Sequence, residues 1–204
     1  MSLNTKSAAP LLKGRSRFAK MQAAELEWWR NYLRHETARQ RMYALYGARY
    51  YPFFWQEMMA AGDTVEIGSG PMPVMDVMQC RMITAVDTLS YEGLTDWHIN
   101  TDVTILPDAS ADTVLLLNVL DHTDQPEFLV AQALRLLRDG GKALVFVHLS
   151  PGDDKHIPIK SGECGRWLGI FGEVVSQIAS ATVYDPPAYV AVAVKHAADT
   201  RGGG

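Results

Sequence analysis

Two short stretches early in the chain have residue types suited to holding a nucleoside. The first reads Val65-Glu66-Ile67-Gly68-Ser69-Gly70-Pro71: a β-type apolar run that feeds directly into a glycine turn. Glycine accepts backbone conformations closed to other residues, so a ligand can lie against bare main chain and meet the amides at a helix start. The second is Met82 to Val86, an apolar run ending in Asp87, seventeen residues after Gly70. An acid at the end of the second strand of a doubly wound sheet can accept from both hydroxyls of a ribose. Glycine turns after strands are common for steric reasons alone, and strand-end aspartates often do no more than hold a turn. The two at this spacing favour the ribose reading over either of those.

Turn and acid together suit a nicotinamide dinucleotide or S-adenosylmethionine. The dinucleotide fingerprint places a third glycine where the following helix packs on the strand, and this chain has Pro73 there. That argues against the dinucleotide.

Positioning such groups requires alternating strands and helices, and the chain changes character near Gly62 to supply them. Thr64 to Ile67, Met82 to Val86, Thr113 to Leu117 and Ala143 to Leu149 read as buried strands rich in Val, Ile and Leu. A helix between the last two is signalled by Asp124 as its cap with Glu127 three residues on, and by Pro126 at an early position. Its buried stripe is Leu129, Ala133, Leu136 and Leu137, and Gly140-Gly141 is its expected end. Val174 to Ile178 and Tyr189 to Val194 have only a polar stretch with Pro186-Pro187 between them, which predicts an antiparallel C-terminal strand pair. The expected fold is α/β: a Rossmann-like, mostly parallel sheet with helices on both faces and a helical N-terminal segment. Residues 1–17 are expected to be disordered and 18–61 to form the aromatic helical segment, broken at Gly47 and Pro52. Residues 62–197 would form the main domain, and 198–204 a flexible tail.

From Asn100 the chain runs Asn100-Thr101-Asp102-Val103, Leu106-Pro107, Asp108-Ala109-Ser110-Ala111-Asp112, Asn118-Val119-Leu120-Asp121-His122 and Leu137-Arg138-Asp139-Gly140-Gly141. With the glycine turn and Asp87, these motifs in order closely resemble the class I S-adenosylmethionine-dependent methyltransferase family of small-molecule type, over about residues 62 to 150. The resemblance implies S-adenosyl-L-methionine as cofactor. Gly68, Ser69 and Gly70 would cradle its methionine part, with Glu66 at the acidic position before them. Asp87 would hold the ribose, and Thr88 and Leu89 would lie beside the adenine. Asp102 and the Val103 amide would meet the adenine edge, and Asn118 the methionine amino end. Met72 departs from the family, which usually has a glycine there.

The resemblance implies methyl transfer to a small-molecule acceptor; an S-adenosylmethionine-binding protein with another activity, or a catalytically silent interaction partner, stays open beside it. His122 and His156 are the candidate catalytic residues, with His148 and Glu163 as weaker candidate bases. Asp112 reads as a strand-entry residue, and Asp121 and Asp124 as helix caps. No residue is assigned to a metal. The aromatic N-terminal segment would serve as a lid over the acceptor, as helix packing on the sheet, or as a homodimer surface. The formal charge of −4, from 19 basic and 23 acidic residues, speaks against nucleic acid. Two cysteines without metal-ligand spacing, no signal-peptide layout and no apolar run long enough for a bilayer predict a cytoplasmic protein.

Overall fold

A computed structural model describes residues 8–74, 82–96, 98–149, 151–153, 156–181 and 187–196. Seven strands make one sheet: β1 (Thr64–Ile67), β2 (Met82–Val86), β3 (Ile99–Asn100), β4 (Ala111–Leu117), β5 (Leu137–His148), β6 (Gly172–Ala181) and β7 (Ala188–Lys195). Their order is β3-β2-β1-β4-β5-β7-β6. The strands from β3 to β5 are parallel, β7 runs antiparallel to β5, and β6 antiparallel to β7. The expected architecture is therefore present, including the antiparallel pair. Strand order reverses beside β1, since the chain goes to β2 on one side and returns to β4 on the other. Such a switch point opens a crevice at the strands' carboxyl ends.

The period-two pattern of the central strands divides the core between two helical layers. Val114, Leu116, Val145 and Val147 face one layer, made of α3 (Pro126–Leu136) and α4 (Ser161–Leu168). Leu115, Leu117, Leu144 and Phe146 face the other, made of α1 (Ala8–Tyr32) and α2 (Ala38–Met59). Met42, Tyr46, Tyr50, Phe54 and Met58, each four residues from the last, are the buried stripe of α2. Tyr50 meets Phe146 edge to face at 5.1 Å. Most of the N-terminal aromatics thus pack the sheet.

Several local expectations need correction. α1 begins at Ala8, so residues 8–17 are helical; Pro10 falls in the first turn, where its missing N–H has no helical partner anyway. The helices break at 33–37 instead of at Gly47 and Pro52, and α2 runs through Pro52. The proline is exposed while the stripe on either side of it is buried on the sheet, which offsets the lost hydrogen bond. α3 starts at Pro126 as expected, but Gln125 is its cap position and Asp124 does not cap it; the Gln125 amide donates to Thr123 Oγ1. Glu127 is taken by the Trp167 indole N–H at 2.9 Å. α3 also ends at Leu136, short of Gly140, because Leu137 already pairs with Ala111 in the sheet. β3 and α4 have no counterpart among the expected elements. Residues 1–7 and the tail 197–204 lie outside the described residues.

Pro52 gives a direct stability prediction. Pro52→Ala restores a helical N–H on an exposed face and should stabilise the fold by about 1–3 kcal/mol, within the cost of a helix-interior proline. Urea unfolding followed by circular dichroism would show a higher midpoint at constant slope. A lower midpoint would mean that the proline shapes a bend the packing requires.

Candidate active site

The turn after β1 is built for close approach. Gly68 and Gly70 have φ of 76° and 58°, both left-handed. A Cβ on Gly68 would lie 2.1 Å from Val119 Cγ2, and one on Gly70 would lie 3.2 Å from the Trp29 ring. The turn is held by the Gly68 amide on the Val86 carbonyl (2.7 Å) and by the buried Glu66, whose carboxylate accepts from the Val74 amide at 3.0 Å. Ser69 is also buried, and its hydroxyl donates to the Gly70 carbonyl.

Asp87 follows β2 and bridges this turn to the next. One carboxylate oxygen accepts from the Gly70 amide (3.0 Å), the other from the Leu89 amide (2.9 Å). Burial pushes its pKa up to about 6, with Glu25 adding to the rise; the two amides and His122 oppose it. It is not the solvent-facing acid that its sequence position suggests. Asp102 is exposed and accepts from both the amide and the hydroxyl of Thr104, which hold its carboxyl below the usual range. These bonds cap a short 3-10 turn, Val103–Ile105. Arg135 from α3 fixes that turn by donating to the Val103 and Leu106 carbonyls.

Two cavities open at the carboxyl ends of β1, β2 and β4, of about 370 and 380 Å³. The first is lined by Asp87, Thr88, Leu89, Asp102 and Val103, with Phe18 and Gln22 of α1 across from them. The second is lined by Glu66, Ser69 and Gly70, by Trp28, Trp29 and Tyr32 of α1, by Tyr46 and Arg49 of α2, and by His156. Glu25, Gly68, Asn118 and His122 border both. Asn118 has φ 57°, and its side-chain oxygen is buried without a hydrogen-bond partner.

The methyltransferase domain family matches residues 65–145 by sequence. Over that stretch the chain is similar to methyltransferase domains. A 1,6-didemethyltoxoflavin-N1-methyltransferase of Burkholderia thailandensis, solved with 1,6-didemethyltoxoflavin and S-adenosylhomocysteine, is similar over 97% of this chain and 93% of its own, at TM-score 0.57 and 16% identity. An S-adenosylmethionine-dependent methyltransferase of Archaeoglobus fulgidus is similar over 77% and 94%, at TM-score 0.55 and 16% identity. A protein of Pyrococcus horikoshii OT3 is similar over 83% and 98%, at TM-score 0.62 and 11% identity. No curated protein matches by sequence.

The expected site residues converge on the paired cavities, with three qualifications. Glu66 and Asp102 spend carboxylate oxygens on backbone amides, so each also shapes its own turn. His148 is buried in β5 and lines neither cavity, and Glu163 accepts from the Lys160 amide at the start of α4. Asp121 caps no helix: it is fully buried, and neither carboxylate oxygen has a hydrogen-bond partner. His122 and His156 do come together, edge to face at 4.5 Å. Burial alone would lower the His122 pKa, but its contact with Glu25 and the charges of Asp121, Glu25 and Asp87 hold it up at about 9. Glu25 and Arg49 are site residues that the sequence reading missed. Phe18, Gln22, Glu25 and Trp29 recur at helical spacing, yet nothing in that pattern tells which side of α1 would face a cavity.

Proposed function

We propose that this chain is an S-adenosylmethionine-dependent methyltransferase acting on a small-molecule acceptor bound beneath α1, in the cavity bordered by Trp28, Tyr32 and His156. What supports the reading most is that two cavities, one lined by Asp87 and Asp102 and the other by Trp28, Trp29 and Tyr32, share one border at Gly68, Asn118, Glu25 and His122. S-adenosylmethionine, when bound, supplies an activated methyl group on a sulfonium. Its adenosine would occupy the first cavity, with Asp87 on the ribose, Thr88 and Leu89 beside the base, and Asp102 and the Val103 amide at the adenine edge. Gly68, Ser69 and Gly70 would receive the methionine end. Asn118 supplies an unpartnered buried acceptor for the amino group, and among the described residues Arg49 is the one lysine or arginine lining either cavity, suited to the carboxylate. The residues present fit the cofactor.

The chain's own task is then to align the acceptor and exclude water, and orientation alone can lower a barrier by about 7–11 kcal/mol. Aromatic walls from α1 suit a flat, partly apolar acceptor. The acidic net charge disfavours a nucleic acid, and the Burkholderia enzyme of the same fold was solved with 1,6-didemethyltoxoflavin bound. His122 and His156 border the acceptor cavity, placed to help an oxygen or nitrogen acceptor lose its proton. Among the described residues no helix is long and apolar enough to cross a membrane; we place the protein in the cytoplasm.

Titration calorimetry with S-adenosylmethionine, S-adenosylhomocysteine and NAD tests the cofactor assignment, with saturable binding expected for the first two only. Methyl-labelled S-adenosylmethionine with extract should then place label in the low-molecular-weight fraction. Label recovered only in protein or RNA would overturn the small-molecule reading, and NAD binding with no response to either sulfur nucleoside would overturn the site.

A further inference from the structure

Beside the junction of the two cavities lies a cluster that methyl transfer does not by itself require. Asp121, His122 and His156 each offer a ligand atom, and the three atoms lie within 4.8 Å of one another. The chain brings them together with backbone bonds. The Ile157 amide donates to the Asp121 carbonyl (2.7 Å), which ties the loop carrying His156 to the exit of β4. Within that loop the His156 amide donates to Asp153 Oδ1 at 2.8 Å.

Three features of the cluster point to a ligand. The Asp121 carboxylate is completely buried, and both its oxygens lack a hydrogen-bond partner. Buried polar atoms are nearly always satisfied, so an orphaned carboxylate between two imidazoles calls for a cation. Each histidine also has its Nδ1 on a carboxylate: His156 on Asp153 at 2.7 Å, and His122 on Glu25 at 3.3 Å. That is how metal-binding histidines are usually oriented, with one ring nitrogen held by an outer carboxylate and the other left for the ion. Finally, three carboxylates surround two imidazoles, a charge balance that a dication offsets.

We propose that Asp121, His122 and His156 bind one divalent transition-metal ion, the histidines through Nε2, with Glu25 and Asp153 as their outer partners. Two imidazoles and one carboxylate suit zinc, iron(II) or cobalt(II) rather than magnesium or calcium, which prefer all-oxygen sets. Metal–ligand bonds of about 2.0–2.2 Å put neighbouring ligand atoms roughly 3.3 Å apart, so the three groups close in by side-chain rotation. His122 and His156 both line the aromatic cavity, so the open coordination position faces it. There it would take an oxygen or nitrogen of the acceptor and ease its deprotonation. This last step rests on the methyl-transfer reading; the metal site does not.

The test uses the full chain, stripped with chelator and free of nucleoside, titrated with Zn²⁺ by calorimetry and with Co²⁺ by visible absorption. One ion per chain is expected, with tetrahedral or five-coordinate cobalt bands. His156→Gln and Asp121→Asn should each weaken binding about a hundredfold or more, and Asp153→Asn by about 10–100-fold, the usual effect of an outer partner. His156→Gln changes a loop residue and serves as the decisive variant if Asp121→Asn fails to fold. His196→Gln, whose ring contacts Glu173 away from both cavities, should bind like the parent. No stoichiometric ion, or binding that survives His156→Gln, would overturn the site and show that the cluster shares protons only. S-adenosylhomocysteine binding measured on the same stripped samples keeps that failure separate from a failure of the cofactor site.

Discussion

Gly68→Ala should cost the protein stability and most of its nucleoside affinity. A non-glycine residue in the left-handed region costs about 1–2 kcal/mol, and Gly68 sits at φ 76°. The added Cβ would also lie 2.1 Å from Val119 Cγ2, and overpacking of that kind typically costs about 1–3 kcal/mol more. The sum, about 2–5 kcal/mol, should lower the thermal midpoint by roughly 5–15 °C in a chain of this size. Moving the turn also breaks the alignment of the Gly68 and Ser69 amides on Val86, so S-adenosylhomocysteine should bind at least about a hundredfold more weakly, equivalent to roughly 3 kcal/mol. Val119→Ala separates the two causes in part. It removes Cγ1 and Cγ2 but leaves the Val119 Cβ 2.4 Å from the new one, so the double variant should regain some of the packing share of the stability and keep the conformational share. Calorimetry and thermal unfolding of the two single variants and the double check this. A folded Gly68→Ala protein with parental affinity would mean that no ligand approaches this turn.

Much of this site could be read from the sequence because its information is local. Thr64–Ile67 and Met82–Val86 are short strands rich in β-forming residues, and the glycines and Asp87 follow where those runs stop. What could not be read depends on contacts between distant segments. Asp121 looks like a helix cap because it lies a few residues before Pro126, yet Gln125 takes the cap position and the β4 exit turns Asp121 inward. His122 and His156 were each visible, but their 4.5 Å approach depends on one backbone bond from Ile157. Glu25 and Arg49 lie on helices whose polar positions look alike until the sheet fixes which side of each helix is covered. Pro52 misled for a related reason: local propensity predicts a break, while the i+4 stripe through Tyr50 and Phe54 keeps the helix continuous.

Asp87 should make nucleoside affinity depend on pH in a direction that follows from its surroundings. A ribose diol binds best to a charged carboxylate, and burial holds this one at about 6. S-adenosylhomocysteine affinity should therefore be level above neutrality and fall by up to about tenfold per pH unit below 6, as the acid takes up a proton that binding must displace. The same shift acts on folding with the opposite sign. Because the folded carboxyl holds its proton more tightly than the unfolded one, its contribution to stability falls as pH rises from about 4 to 6 and is level above that. The titrating groups around it are Glu25 on α1, Tyr91 and His122, so the profile should be taken with chelator present and repeated in His122→Gln. Asp87→Asn keeps an acceptor and loses the charge; it should bind more weakly at neutral pH, with a flat profile. Asp87→Ala should weaken binding by roughly tenfold to several hundredfold, at about 1.5–3 kcal/mol for each charge-assisted bond. It should also lower the thermal midpoint, because the Gly70 and Leu89 amides both lose their acceptor. An Asp87→Asn protein that keeps the parental dependence below pH 6 would move the titration to another group and leave Asp87 as the tie between two turns.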